Sequence, residues 1–331
     1  MKKIISVLLS FFIIFVFASC SSDTNKGEKL LKNKINISYL DSKDEKTVYA
    51  LDIFSRKIDE LSESLISVDY NVSENPIEDL NIGKAQIIVT DTKSLEEYGD
   101  NFKILTSPFF FLSPMQSTML LNSSDFRELY DDYFKSKLNC EVLGTVYLEG
   151  EYIFSLKEAF TNFREDETNA IFAVDGKDHA LMEILDANEI LCTTYEKATD
   201  IKEDLNLVYI DSVDLKQDFL SGKNKVYISE YPYRINSQWV LVSKNYWDTL
   251  DQKQKNIIKQ ALSFFNSAAE DERLKEYENL YYTLSKRNIN MVEAYSAEIR
   301  NYCHSFVKYS SNVYGNIDAS LFNKTVNIII S

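Results

Sequence analysis

"KINISYL" (residues 34–40), "LISVDYN" (65–71) and "AQIIVTD" (85–91) are three short apolar runs, and what lies between them decides the fold. The first is followed by Val48, Leu51, Phe54, Ile58, Leu61 and Leu65, spaced by three and four, the stripe of a helix that rests on a core. The second leads into "NPIEDLNIGK" (75–84), a short helix ended by Gly83. Strand, helix, strand, helix, strand in this order predicts a parallel sheet covered by helices. In open sheets of that kind ligands sit at the carboxyl ends of the strands. Here that means the residues around Asp41–Asp44 and Thr90–Thr92, and Asp91 is the first candidate ligand contact.

Working outward, "ILTSPFFFLSP" (104–114) sets Phe109, Phe110 and Phe111 between two prolines, too apolar for a flexible loop and too short to cross a membrane. "SSDFRELYDDYFKSKL" (123–138) reads as a helix capped by Ser123 or Ser124, and "CEVLGTVYLEG" (140–150) begins another strand. Beyond residue 151 come strands at "NAIFAV", "KVYIS" and "SQWVLVSK" and a helix at "GKDHALMEIL". A long helix follows. Ile258, Leu262, Phe265 and Ala269 form one stripe, and Leu274, Tyr277, Tyr281 and Leu284 continue it with a shift of phase.

The chain opens MKKIISVLLSFFIIFVFASC, in which two lysines, an apolar run from Ile4 to Ala18 and small residues before Cys20 have the order of a secretory leader. The ending also looks like a bacterial lipobox, which makes Cys20 the acylated first residue of the mature chain. Residues 20–34 are polar and without periodicity, a tether between lipid and folded body. Loss of Lys2 and Lys3 with the leader leaves 34 basic against 51 acidic side chains, a charge near −17 that disfavours nucleic acid as a partner. Cys140, Cys192 and Cys303 then remain, an odd and widely spaced set that is neither a disulfide framework nor a zinc site, and no metal or cofactor is expected. His179 and His304 are the only histidines, and nothing local orients a Cys303–His304 pair as a nucleophilic site, so an enzyme is not the expectation. "SGKNK" lacks the glycine and hydroxyl of a phosphate loop, and "VDGKD" is an Asp-Gly turn with too few oxygens for calcium.

Four stretches carry a resemblance to a known family. They are "IEDLNIGKAQIIVTD", "LTSPFFFLSPMQSTMLL", "CEVLGTVYLEG" and "QWVLVSKNYWDTLDQKQKNIIKQALSFFNSAAEDE". Together they resemble the extracytoplasmic solute-binding proteins of tripartite ATP-independent periplasmic (TRAP) transporters, over about residues 35–295. The resemblance implies an α/β fold of periplasmic-binding-protein type II: two lobes, each a mainly parallel sheet with flanking helices, and one long helix spanning both. It implies that the Pro-Phe segment is core under the cleft, with Pro108 fixing the chain's exit from its strand and each phenylalanine contributing ~2 kcal/mol by burial. The domain reading is a leader over 1–19, a tether over 20–34, a first lobe of 35–150 plus 237–265, and a second of 151–236 plus 266–331. Hinges near Gly150 and Asn236 would close the lobes on a small organic solute. Membrane subunits of the transporter are the expected protein partners, with the lipid on Cys20 holding the chain to the membrane.

Members of this family usually clamp an organic acid with an arginine, whose planar fork gives a carboxylate two parallel hydrogen bonds. The positions that match the two family cations hold Phe172 (or Ala173) and Tyr152. Arg234 and Arg164 are the arginines that could reach the cleft from elsewhere. Alternatively Tyr152, Phe172, Tyr231 and Tyr233 line a pocket for an apolar or sugar-like solute. The expected ligand contacts are thus Asp91, Tyr152, Phe172, Tyr231 and Arg234. The missing arginines also leave open an envelope sensor, or a binding protein that has lost its transport role.

Overall fold

The computed structural model describes residues 33–40, 45–111, 113–155, 172–187, 191–196, 207–211, 227–229, 232–286, 290–292 and 317–330. Cys20 and the leader, Tyr231, Arg164, Cys303 and His304 lie outside the described residues, as do Asp41–Asp44.

The first third folds as its apolar periodicity predicts. Strand β1 (Asn33–Leu40) lies between β2 (Ile66–Ser73) and β3 (Ile87–Asp91), parallel to both. Helix α1 (Glu45–Leu61) buries Ala50, Leu51, Phe54 and Ile58 against one face of this sheet. Helix α2 (Pro76–Asn81) starts with Pro76 at its first turn and the Asn75 side chain accepting from the Glu78 N–H at 3.0 Å, a start that suits a missing proline N–H. Gly83, at φ +77°, reverses the chain into β3 where a side chain would be strained.

After a four-residue helix α3 (Thr92–Leu95) and two 3₁₀ turns, the Pro-Phe segment enters the core: Phe109, Phe110 and Phe111 are all buried. Pro108 follows the 3₁₀ turn Asp100–Thr106, not a strand, and the strand exit expected of it is corrected accordingly. Phe109 has φ +61°, left-handed backbone that costs roughly 1–2 kcal/mol in a non-glycine residue. The segment holds it there: its N–H donates to the Tyr233 carbonyl, and its ring lies 5.7 Å from that of Tyr233. Phe110 and Phe111 meet edge to face at 5.1 Å and join Phe126, Tyr130 and Phe134 of helix α5 (Ser124–Leu138), which is reached through α4 (Pro114–Leu121). Ser123 is the cap of α5, accepting from the Phe126 N–H at 3.2 Å.

The two halves are joined by strands rather than loops. Strand β4 (Cys140–Ser155) pairs antiparallel with β9 (Arg234–Ser243) from Cys140 to Glu151, then continues against β7 (Leu207–Asp211). The sheet order is β2-β1-β3-β9-β4-β7-β5-β6, with β5 (Phe172–Asp175) parallel to both β6 (Cys192–Tyr195) and β7. Each end is therefore parallel and the middle antiparallel. The expected cuts near Gly150 and Asn236 both fall inside paired strands. At Gly150 an added Cβ would stand 2.6 Å from Pro232 Cβ, so glycine is what lets the lead-in to β9 pass. Beyond β5, helix α6 (His179–Ala187) covers the second lobe.

After α7 (Lys244–Thr249), helix α8 (Gln252–Lys286) packs Ile257, Ile258, Ala261, Leu262, Phe265 and Ala269 on α1 and the first-lobe sheet. Its later turns reach β10 (Asn290–Val292), which pairs with β8 (Tyr227–Ser229) and through it with the end of β4, so the helix serves both lobes. Two sequence expectations are corrected here. Leu274 is 57% exposed, whereas Arg273, four residues after Ala269, is 6% exposed and carries the buried stripe onward. Helix α9 (Ala319–Ile330), assigned to the second lobe with the rest of 266–331, packs on the first: Phe322 is in the α5 core, and Thr325 Oγ1 meets Tyr130 OH at 3.2 Å.

Candidate functional site

The carboxyl end of β3, the lead-in to β9 and the middle of β4 meet at the junction of the lobes. Asp91 ends β3 and caps α3, with Oδ1 accepting from the Ser94 N–H at 2.8 Å. The next residue, Thr92, is 1% exposed and uses its hydroxyl fully. Oγ1 accepts from Ser237 N at 3.1 Å and Trp239 Nε1 at 2.9 Å, and donates to the Ser237 carbonyl at 3.0 Å. One donor and two acceptor sites are what a hydroxyl has. Asn236 completes this lock: its Oδ1 accepts from the Thr92 N–H at 3.2 Å, and its Nδ2 donates to Asp91 Oδ2 at 3.3 Å and Glu149 Oε1 at 3.1 Å.

Two residues further along β4 and β9, on the same face, the junction becomes ionic. Glu151 pairs with Arg234 in the β4–β9 register, which places the two side chains on one face. Glu151 Oε2 accepts from Arg234 Nη1 at 2.9 Å and Tyr233 OH at 2.6 Å, while Oε1 accepts from Lys93 Nζ at 3.1 Å. Arg234 Nη2 reaches Asp178 Oδ1 at 2.8 Å, the same oxygen that caps α6 by accepting from the Leu181 N–H at 3.1 Å. Arg234 Nε is buried without a hydrogen bond among the described residues.

Burial opposes every charge in this chain, and the pairing decides which charges survive. Burial pushes the Glu151 carboxyl up, but the charges of Arg234 and Lys93 and the Tyr233 hydrogen bond outweigh it and hold it below the usual carboxylate range. Burial likewise works against the Arg234 cation, and the charges of Glu151 and Asp178 keep it firmly protonated. For Lys93, burial is overcome by the charges of Glu151 and Glu149 and its ammonium is raised. Glu96 goes the other way: burial dominates over its bond to Thr106 and the distant cations, and its carboxyl is raised. Beside this chain, Gln238 Nε2 donates to Thr47 Oγ1 at 2.8 Å and Gln238 Oε1 accepts from Arg273 Nη2 at 3.3 Å, tying β9 to α1 and α8.

No protein-family model matches the sequence, and no curated protein matches it. Solved structures do. A TRAP periplasmic solute binding protein from Rhodobacter sphaeroides, apo, open and partially disordered, superposes with a TM-score of 0.74 at 14% identity, over 90% of this chain and 99% of that one. One from Ochrobactrum anthropi, whose C-terminus is bound in its ligand-binding pocket, gives 0.73 at 15% identity over 91% and 96%. The fold is that of the TRAP periplasmic solute-binding proteins. A third such structure, from Sulfurospirillum deleyianum with bound succinate, gives 0.59 at 14% identity over 90% and 99%.

Within this TRAP-type fold the anticipated contacts separate. Asp91 and Arg234 stand at the same junction: Asp91 accepts from Asn236, and Lys93, two residues after Asp91, shares Glu151 with Arg234. Tyr152 follows Glu151 on β4 and so points to the other face, where its ring is buried and its hydroxyl is bonded to Tyr147. Phe172 opens β5 opposite Cys192 and Leu207. Lys93, Glu149, Glu151, Asp178 and Arg273 were not anticipated. Three of them had a signal: Glu149 and Glu151 interrupt an otherwise apolar strand reading, and Arg273 keeps the i+4 spacing from Ala269. Lys93 directly follows the strand end at Thr90–Thr92, whereas Asp178 had no signal, because it is brought to the site by packing between segments far apart in sequence.

Proposed function

We propose that the chain is the extracytoplasmic receptor of a TRAP-type secondary transporter, taking a small organic solute between its lobes and delivering it to the membrane subunits. The carrying observation is the two-lobed sheet whose halves meet at a built polar junction, at the carboxyl end of β3, where open α/β sheets hold ligands. The relatives in fold are periplasmic solute-binding proteins, one with bound succinate, which supports the same role here. Acylation at Cys20, with residues 20–34 as spacer, would keep the receptor at the membrane after removal of the leader. The solute touches both lobes, so binding favours the closed state. Bending is assigned to β4 and β9 near Gly150 and Asn236.

The test is mass spectrometry of small molecules released from the purified protein, followed by thermal unfolding with each compound found. A true solute at 100 times its dissociation constant adds about 2.7 kcal/mol of stability. A protein that carries nothing, and that no organic acid, sugar, nucleoside or amine stabilises, is not a transport receptor.

A further inference from the structure

We propose that Glu151 is a counter-ion built into the cleft, filling the place a solute carboxylate would take, so that the solute is uncharged or cationic rather than an organic acid or a phosphate. This rests on the receptor reading and narrows its substrate class.

The donors around Glu151 form a complete anion site. Lys93 comes from the turn after β3, and Tyr233 and Arg234 lead into β9; together they direct an ammonium, a hydroxyl and a guanidinium at one carboxylate within 2.6–3.1 Å. Such charge-assisted donors, converging from separate elements, are what a protein uses to hold a carboxylate or phosphate oxygen. Here the anion is supplied by the chain's own strand β4, and its side chain is only 14% exposed. Arg234 has no fork left to offer. Its two Nη atoms go to different carboxylates, Glu151 and Asp178, so an end-on bidentate grip on a solute requires breaking both ion pairs, and the Nε left over is itself buried.

The surroundings oppose an incoming anion as well. Asp91 Oδ2 and Glu149 Oε1 both converge on the single Asn236 Nδ2, at 3.3 and 3.1 Å, on the same rim. Four carboxylates, Asp91, Glu149, Glu151 and Asp178, thus gather around the Lys93 and Arg234 pairs, and Arg273 lies in the adjoining layer on Gln238. The chain's net charge of −15 adds a long-range field that lowers the local concentration of anions and raises that of cations.

The experiment compares the wild-type chain with Glu151→Ala in thermal unfolding, titrating sodium acetate against sodium chloride at equal ionic strength. Removal of the side chain leaves Lys93, Tyr233 and Arg234 around an acetate-sized vacancy. Acetate is expected to stabilise Glu151→Ala saturably, with a half-saturation concentration at least about tenfold below any seen for wild type, and neither acetate nor succinate should stabilise wild type beyond the chloride control. Saturable stabilisation of wild type by acetate, succinate or phosphate overturns the proposal, and so does a folded Glu151→Ala that gains nothing from acetate. If Glu151→Ala does not unfold cooperatively, Glu151→Ser, which also opens the vacancy and removes the charge, takes its place with the same saturable gain from acetate expected, and its absence overturns the proposal. The acetate readout does not need the natural solute. Its failure therefore counts against the counter-ion, whereas a wild-type chain with no retained or stabilising solute of any charge counts against the receptor reading.

Discussion

Replacing Thr92 by valine should be among the most damaging changes of a single atom in this chain. Valine keeps the shape and removes the hydroxyl, so three hydrogen bonds of 2.9–3.1 Å disappear together. Two donors, the Ser237 N–H and the Trp239 Nε1–H, and one acceptor, the Ser237 carbonyl, are left without their partner where Ser237 is 2% and Trp239 0% exposed. A buried polar group deprived of its partner costs about 1–3 kcal/mol, and the added methyl recovers part of that, so a net loss of about 3–4 kcal/mol is expected. Urea unfolding followed by tryptophan fluorescence checks this: with an m-value near 3 kcal/mol/M, the midpoint should fall by about 1 M with no change in slope. Thr92→Ser retains the hydroxyl and should lose only about 1 kcal/mol for the missing methyl. The coupling between Thr92→Val and Trp239→Phe should reach about 1 kcal/mol, because both remove the same bond. If valine proves no worse than serine, the hydroxyl does not lock the end of β3 to β9, and the ordered placement of Asp91 and Lys93 needs another cause.

Phe110→Ala empties a position 1% exposed in the first-lobe core and should cost about 3–5 kcal/mol in the same unfolding assay. Asn139 closes α5 in left-handed backbone at φ +48°; Asn139→Ala should lose about 1 kcal/mol and Asn139→Gly should not, as measured by urea midpoint. Glu151 has a depressed carboxyl in the fold, so its stabilisation is full above the unfolded carboxylate range and is lost as pH falls through its lower folded value. The stability gap between wild type and Glu151→Gln should accordingly be constant from pH 8 to about 5 and shrink below about pH 4. Glu96 is raised, so its contribution is present below the unfolded value and lost as pH rises through the folded one; Glu96→Gln should gain on wild type as pH rises above the unfolded carboxylate range. Cys192 is exposed and Cys140 buried with its thiol pushed up by burial, so alkylation of the native chain with peptide mapping should modify Cys192 and spare Cys140.

What could be read in the sequence was whatever a single element decides. The stripe Leu51, Phe54, Ile58 needs only the period of a helix, and β1 to β3 need only short apolar runs with turn residues between them. The site was less legible because it is made of pairs. Arg234 was visible as a stray arginine before a strand, but its state is set by Glu151 across the β4–β9 ladder and by Asp178 at the start of α6, neither of which any local pattern ties to it. β9 begins three residues earlier than "SQWVLVSK", because Arg234, Ile235 and Asn236 pair with β4 despite two polar side chains. The stripe does not continue at Leu274 for the same reason: a pattern of apolar spacings passes over a charged residue, whereas Arg273 is held inside by Gln238.

The register shifts of β4 at Val142/Gly144 and Tyr147/Glu149 have a mechanical meaning. A pair of ribbons that runs unbroken through both halves cannot swivel as a tether of loops would; it must flex, like a leaf spring, and it flexes where its ladder is already interrupted. The second shift lies next to the carboxylates and cations of the junction. If the halves close as proposed, strain in the spring and a solute at that junction would be felt by the same few peptide units, and a substitution that stiffens Tyr147–Gly150 would alter closure without touching a solute at all.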